Sequence, residues 1–199
     1  RWLGFYISCD MHKIQTAIVW CCVLEPKVFA DARGFFYESY NQQTFVSLDI
    51  NDTFIQDNHS RSNKWVLRGL HFQYPPYTQS KLVRVVAWSV LDIVLDLRKS
   101  SPSFGQYITE EISSDNKRML YVPHGCAHGF LTLEDNTEFL YKCDNTYAPD
   151  HDGGILFSDP FIPIDRDEIK RKYTITEFII SDKDKNLPSL ADLSHNNPF

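Results

Sequence analysis

The strongest constraint on this chain is a succession of short runs rich in aromatic and β-branched residues, closed by turn formers and never interleaved with long helical periods. Segments 28–29, 34–38, 67–72, 82–97, 119–122, 129–133 and 138–143 all favour strand. Turns are expected at 100–105, at Pro123-His124-Gly125 and at Asp152-Gly153-Gly154. The clearest period sets Leu91, Ile93, Leu95 and Leu97 against Asp92, Val94, Asp96 and Arg98, which predicts a strand with one apolar and one mixed face. Only 41–49 and 165–172 read as helices, both short. Many short strands without alternating helices predict a mainly β protein, an antiparallel sandwich or barrel rather than a βαβ fold.

The 199 residues can bury one substantial core, and no repeat, low-complexity tract or shift of composition marks a boundary. Residues 11–199 are therefore read as a single domain, and residues 1–10, which carry no motif, as an N-terminal extension. The apolar run 17–24 is followed by Glu25, Pro26 and Lys27 before the small-residue triplet Ala30-Asp31-Ala32, and it is too short to span a bilayer. It is read as a buried strand rather than a signal segment, and no membrane association is expected. With 20 Lys plus Arg against 26 Asp plus Glu, the net charge of −6 shows no basic stripe and argues against a nucleic-acid partner. An anionic small molecule stays compatible, because a few arginines can line one pocket of a negative protein. The five cysteines, Cys9, Cys21, Cys22, Cys126 and Cys143, are odd in number and lack Cys-x-x-Cys spacing, which indicates reduced thiols and a cytoplasmic location.

Chemistry concentrates in Gln56-Asp57-Asn58-His59-Ser60 and in Leu67-Arg68-Gly69-Leu70-His71-Phe72-Gln73. Strict alternation would put Arg68 and His71 on opposite strand faces, whereas a bulge at Gly69 would turn both into one cavity. Lys81 heads an apolar strand, His128 stands beside Gly129, and Tyr141 lies within a strand. Taken singly, each suits packing or a solvated face. Gathered at one barrel mouth they form a proton-transfer set: an imidazole accepts, a phenol donates, and an ammonium stabilises an oxyanion. Seven histidines raise the question of a metal, yet there is no His-x-His spacing and no acidic residue at close motif distance, so no metal ligand is assigned. There is no glycine-rich phosphate loop, Gly-x-Ser-x-Gly elbow or dinucleotide fingerprint, so no cofactor is expected.

The ordered series Leu24-Glu25-Pro26-Lys27-Val28-Phe29, Asp31-Ala32-Arg33-Gly34-Phe35-Phe36-Tyr37-Glu38-Ser39, Gln56-Asp57-Asn58-His59-Ser60, Leu67-Arg68-Gly69-Leu70-His71-Phe72-Gln73, Lys81-Leu82-Val83-Arg84, Asp96-Leu97-Arg98-Lys99-Ser100-Ser101-Pro102-Ser103-Phe104-Gly105, Ala127-His128-Gly129-Phe130 and Phe139-Leu140-Tyr141-Lys142 closely resembles the dTDP-4-dehydrorhamnose 3,5-epimerase family, collinearly from residue 11 to 184. The resemblance implies a cupin-type jelly-roll barrel (double-stranded β-helix) with a few short helices, and a homodimer. It also implies a cofactor-free enzyme of dTDP-L-rhamnose biosynthesis acting on dTDP-4-dehydro-6-deoxy-D-glucose. By the same resemblance His71 is the base, Tyr141 the acid on the opposite face, Asp184 the carboxylate that orients His71, and Lys81 the partner of the enolate oxygen. Arg33 and Arg68 correspond to diphosphate and sugar contacts, and Glu38, Gln56, Asp57 and Asn58 to nucleotide contacts. His128 corresponds to a sugar-pocket position, Tyr147 to the aromatic that stacks on thymine, and Asp152 and Lys183 to further polar contacts.

The chain departs from the family pattern at several points. Trp88 stands in a glycine turn, His124 where an acidic residue is common, Cys126 for a bulkier apolar residue, and Asp152 for a glutamate; Asp165-Arg166-Asp167 lacks the usual Trp-Pro. These changes spare the catalytic groups and bear on pocket shape and on whether both carbons are epimerised. The competing readings are a single-carbon epimerase or keto-sugar isomerase of the same fold, a metal-dependent cupin enzyme, and a non-catalytic sugar-nucleotide binder.

Overall fold

Two antiparallel sheets face one another in the computed structural model, which describes residues 11–194 and 197–199. The expected extension 1–10, with Cys9, lies outside the described residues. Strands β1 (Met11–Gln15) and β2 (Cys22–Pro26) lead into a small hairpin, β3 (Phe29–Asp31) and β4 (Gly34–Phe36), and helix α1 (Gln42–Ser47). The long strands follow: β5 (Gln56–Ser62), β6 (Val66–Gln73), β7 (Lys81–Ala87), β8 (Ser89–Asp96), β9 (Tyr107–Ser113), β10 (Met119–Val122), β11 (Cys126–Thr132) and β12 (Thr137–Cys143). Then come β13 (Asp152–Gly154), α2 (Arg166–Tyr173), β14 (Ile179–Ile180), α3 (Asp182–Lys185) and α4 (Leu190–Ser194). One sheet has the order β1-β2-β10-β7-β12-β5 and the other β13-β6-β11-β8-β9, with β14 added parallel to β6. Sheets that exchange successive strands in this way form the cupin-type jelly roll expected from the sequence.

Burial explains why these segments take this arrangement. Leu91, Ile93, Leu95 and Leu97 pack outward beneath Ile155, Phe157, Ile164 and Ile169 of the C-terminal segment. Val90 and Val94 turn into the barrel with Val83, Phe130 and Phe139. The mixed face of β8 therefore points into the interior, and Asp92 and Asp96 are fully buried. Phe130 of β11 stacks on Phe139 of β12 with ring centroids 4.0 Å apart, tying the sheets together; such a pair adds about 0.5–1.5 kcal/mol beyond its buried area. A third apolar layer, Cys22, Leu24, Leu82 and Met119, is covered by Phe45 of α1 and by Ile50.

Several local expectations change. The run 82–97 is two strands, divided at Trp88, whose φ of 69° is the left-handed conformation that glycine adopts without strain. Of the run 17–24, only the part from Cys22 is strand, and residues 17–20 form the turn before it. The polar segment Gln56–Ser62 is a full strand that composition alone did not mark, since its inward residues face a cleft lined by polar side chains. Asp152-Gly153-Gly154, expected as a turn, is β13, paired with Gln73, Phe72 and His71. A Cβ on Gly154 would stand 2.6 Å from the Leu70 carbonyl oxygen, so only glycine lets that strand approach. Both expected helices form: Asn41 caps α1 by accepting from the Gln43 and Thr44 N–H groups, and Asp165 caps α2 by accepting from Glu168 N–H. Cys21, Cys22, Cys126 and Cys143 are free and buried. Among the described residues no helix is long and apolar enough to cross a membrane.

Candidate active site

The site begins with a defect in one strand. Between the pairs His71↔His128 and Arg68↔Phe130, strand β6 places Gly69 and Leu70 opposite the single residue Gly129 of β11. That two-against-one count is a β-bulge, and it cancels the alternation that would separate Arg68 from His71. Both now line one cleft of about 540 Å³ together with Lys81, His128, Tyr141, Lys183 and Asp184. Gly69 has φ +113°, and a Cβ there would meet Gly129 Cα and the His128 carbonyl oxygen at 2.7 Å, so the bulge requires glycine.

Four groups form the chemical centre. His71 donates from Nε2 to Asp184 Oδ1 at 2.7 Å, which leaves Nδ1, without a partner among the described residues, as the basic nitrogen. Asp184 is buried on the first turn of α3, and its Oδ2 accepts Gly69 N–H at 3.2 Å. Burial raises that carboxyl, but the His71 hydrogen bond and charge together with Gly69 N–H outweigh it and hold Asp184 below the usual carboxylate range. Lys81, on β7 of the opposite sheet, is buried, and its Nζ donates to the His71 carbonyl oxygen at 3.5 Å. Burial lowers its ammonium against the pull of Cys143, Asp152 and Asp92. Tyr141 comes from β12, also in the sheet opposite His71; burial pushes its phenol up, partly opposed by Arg68.

Below them His128 has a partner the sequence did not single out. His128 Nε2 donates to Asp92 Oδ1 at 2.8 Å in the barrel interior. Burial raises the Asp92 carboxyl, opposed by His128 and Lys81. The available signal was a carboxylate on the inward face of the most apolar strand, where a buried partner is needed.

A second chamber of about 360 Å³ adjoins the cleft and shares His71, Lys81, Tyr141 and Lys183 with it. Gln56 and Asn58 enter from β5, linked to each other at 3.1 Å, and Gln56 Oε1 accepts Tyr147 N–H at 2.9 Å. The half-exposed Tyr147 ring stands at its wall, its hydroxyl donating to Asp152 Oδ2 at 3.3 Å, and Lys183 also bonds Asp152. Arg68 is anchored by Nε to Ser62 Oγ at 3.1 Å.

Three expected contacts lie elsewhere in this chain. Asp57 alternates to the other face of β5 and pairs with Lys142 at 2.8 Å. Glu38 accepts from Asn41 and Thr44 at the start of α1. Arg33 is at the tip of the β3–β4 hairpin, paired with Asp31 and lining a separate surface hollow with Phe29, Phe35 and Phe36.

A jelly roll that sets a carboxylate-bound imidazole on one sheet against a partly buried phenol and a buried ammonium on the other defines a cupin-type acid–base enzyme. The chain belongs to the dTDP-4-dehydrorhamnose 3,5-epimerase family, whose model matches residues 15–192. A Salmonella typhimurium protein named dTDP-4-dehydrorhamnose 3,5-epimerase is 54% identical over 156 residues, covering 78% of this chain and 85% of its own length. The Escherichia coli K12 protein of the same name is 47% identical over 184 residues, 92% of this chain and 96% of its own. Among solved structures, Legionella pneumophila dTDP-6-deoxy-D-glucose-3,5-epimerase in complex with dTDP-4-keto-L-rhamnose matches with a TM-score of 0.84 at 41% identity, covering 92% of this chain and 94% of that one.

Proposed function

We propose that the protein epimerises dTDP-4-dehydro-6-deoxy-D-glucose at carbons 3 and 5 to dTDP-4-dehydro-L-rhamnose. The observation that carries this reading is the His71–Asp184 pair facing Tyr141 across a cleft whose two walls belong to opposite sheets. The carbon-4 ketone acidifies the protons on its neighbours, because the electron pair left behind spreads onto the carbonyl oxygen. His71 Nδ1 takes the proton, and Asp184 stabilises the imidazolium. The Lys81 ammonium receives the enolate oxygen, a role that contributes about 10²–10³-fold in comparable sites. Tyr141, kept protonated by burial, gives its proton to the opposite face of the carbon and so inverts it. Epimerisation leaves every oxidation state unchanged; each inversion leaves His71 as imidazolium and Tyr141 as phenolate, and proton exchange with solvent resets the pair before the next carbon.

The adjoining chamber suits the nucleotide. Tyr147 offers a ring to thymine, Gln56 and Asn58 offer amides to its polar edge, and Arg68 and Lys183 supply cations for the diphosphate. His128, held by Asp92, meets the sugar. Arg33 and Glu38 enter this reading through a homodimer. The hairpin that carries Arg33 exposes Phe35 and Phe36 at 60% and 58%, an apolar surface suited to a second copy. The test is nuclear magnetic resonance of the substrate in deuterated water. Label is expected at carbons 3 and 5, and His71→Ala should abolish both. Label at one carbon would make the protein a single-carbon epimerase, and binding of thymidine diphosphate with no label at either would make it a non-catalytic binder.

A further inference from the structure

Outside the catalytic cleft, one cluster converges with the geometry of a cation site. Asp52 from the α1–β5 loop, His124 from the β10–β11 turn and Asp144 just after β12 bring one ligand atom each to within 4.8 Å of one another. Sequence spacing concealed them, since the two carboxylates stand 72 and 20 positions from the histidine. We infer that Asp52 Oδ1, His124 Nε2 and Asp144 Oδ2 form a binding site for a divalent zinc-class cation that clamps the loops behind Lys81.

Three observations support it. First, each ligand group has its other polar atom held by a fixed partner. His124 Nδ1 donates to Thr78 Oγ1 at 2.9 Å, Asp144 Oδ1 accepts Ser80 N–H at 2.8 Å, and Asp52 Oδ2 accepts the Tyr121 hydroxyl. Such outer contacts orient metal ligands, and His124 Nε2, which now donates to Asp144 Oδ2 at 2.6 Å, would release that proton to solvent as the ion takes its place between them. Second, Ser80 Oγ is fully buried and faces the Asp52 carboxylate and the Tyr121 phenol without a hydrogen bond of normal geometry to either. A buried hydroxyl without a partner is unusual, and beside these carboxylates it is a neutral oxygen donor. Third, charge balance favours an ion: a protonated imidazole would neutralise one carboxylate, whereas a divalent cation with neutral His124 neutralises both.

The required adjustment is small. Zinc at about 2.0–2.2 Å from tetrahedral nitrogen and oxygen ligands spaces them by roughly 3.3 Å. Nε2 and Asp144 Oδ2, now 2.6 Å apart, would separate, and Asp52 Oδ1, at 3.8 Å from Nε2, would close in. His124 is 42% exposed, which gives the ion and a completing water a way in. A one-histidine, two-carboxylate set suits zinc better than calcium or magnesium, which favour all-oxygen shells. The site joins four segments, one of them the loop holding Thr78 and Ser80 that runs into Lys81, so its effect is structural and is independent of the reaction proposed above.

The experiment strips the protein with chelator and titrates zinc chloride by calorimetry at neutral pH, with melting temperature and bound-metal analysis after desalting. The expected result is one equivalent per chain and a higher melting temperature. Asp144→Asn, and Thr78→Val among the outer partners, should each weaken binding by at least about tenfold. Ser80→Ala, a mild change that keeps the fold, should weaken it as well. Absence of binding to the intact protein, or equal binding by the wild type and all three variants, would overturn the inference.

Discussion

Replacing Asp184 with asparagine isolates one charge at nearly constant shape. In the wild type the carboxylate and a protonated His71 are 2.7 Å apart. At that distance their attraction is about 6 kcal/mol with an effective dielectric of about 20, and about 1.5 kcal/mol in water. Asp184 is 5% exposed but His71 is 31% exposed, so the pair lies between those limits. A working value of about 3 kcal/mol corresponds to roughly a hundredfold in rate. Asparagine also has only one acceptor oxygen for the two N–H groups that Asp184 now serves, His71 Nε2–H and Gly69 N–H. The amide nitrogen then opposes a donor, which pushes the ring towards the wrong tautomer. Asp184→Asn is therefore expected to lower kcat by at least about a hundredfold while KM changes little, because the charge acts on the imidazolium formed during reaction. The assay is deuterium uptake at carbons 3 and 5, followed by nuclear magnetic resonance at neutral pH, with melting temperature measured on the same sample. A folded Asp184→Asn protein whose kcat stays within about threefold of wild type would refute the role given to this carboxylate.

Three other outcomes test separate parts of the structure. Tyr141→Phe removes the acid but leaves the base, so substrate protons should still exchange with deuterium while inversion, read from the coupling constants, slows by about 10²-fold or more. Gly69→Ala places a methyl group 2.7 Å from two backbone atoms at a φ of +113°; chemical denaturation should show a loss of at least about 2 kcal/mol, and an unchanged midpoint would mean that the bulge tolerates a side chain. Asp96 is raised by burial, but Arg98, Ser101 and Ser103 together hold it below its usual value. A depressed carboxylate contributes stability above its unfolded pKa and loses it as pH falls through the folded value. Melting temperature should therefore fall more steeply on acidification below about pH 4 in the wild type than in Asp96→Asn, and parallel curves would contradict the assignment.

The antiparallel β class was legible because burial imposes a period, and the resemblance to the family narrowed it to a jelly roll. Leu91, Ile93, Leu95 and Leu97 repeat every second residue, as a strand packed against a core must. Helix ends were legible where a side chain bonds its own backbone, as Asn41 and Asp165 do. The strand Gln56–Ser62 was not, because both its faces are polar, one towards solvent and one towards the cleft. Nor was the interior position of Asp92, because a carboxylate within a strand reads alike whether its face meets water or a buried histidine.

The sequence by itself determined the class of fold, the family, and which residue types could move a proton. The tertiary structure decided which of them meet. His71 and Asp184 are 113 positions apart and become partners because β14 and α3 lie against β6. Arg68 joins His71 in one cleft because two glycines let β6 and β11 approach closely enough to bulge. Asp57, one residue from two groups that enter the second chamber, is turned away by the pleat. Side-chain chemistry is local and is written in the residue names, whereas contact depends on register and alternation summed over the whole sheet, and one inserted residue reverses it.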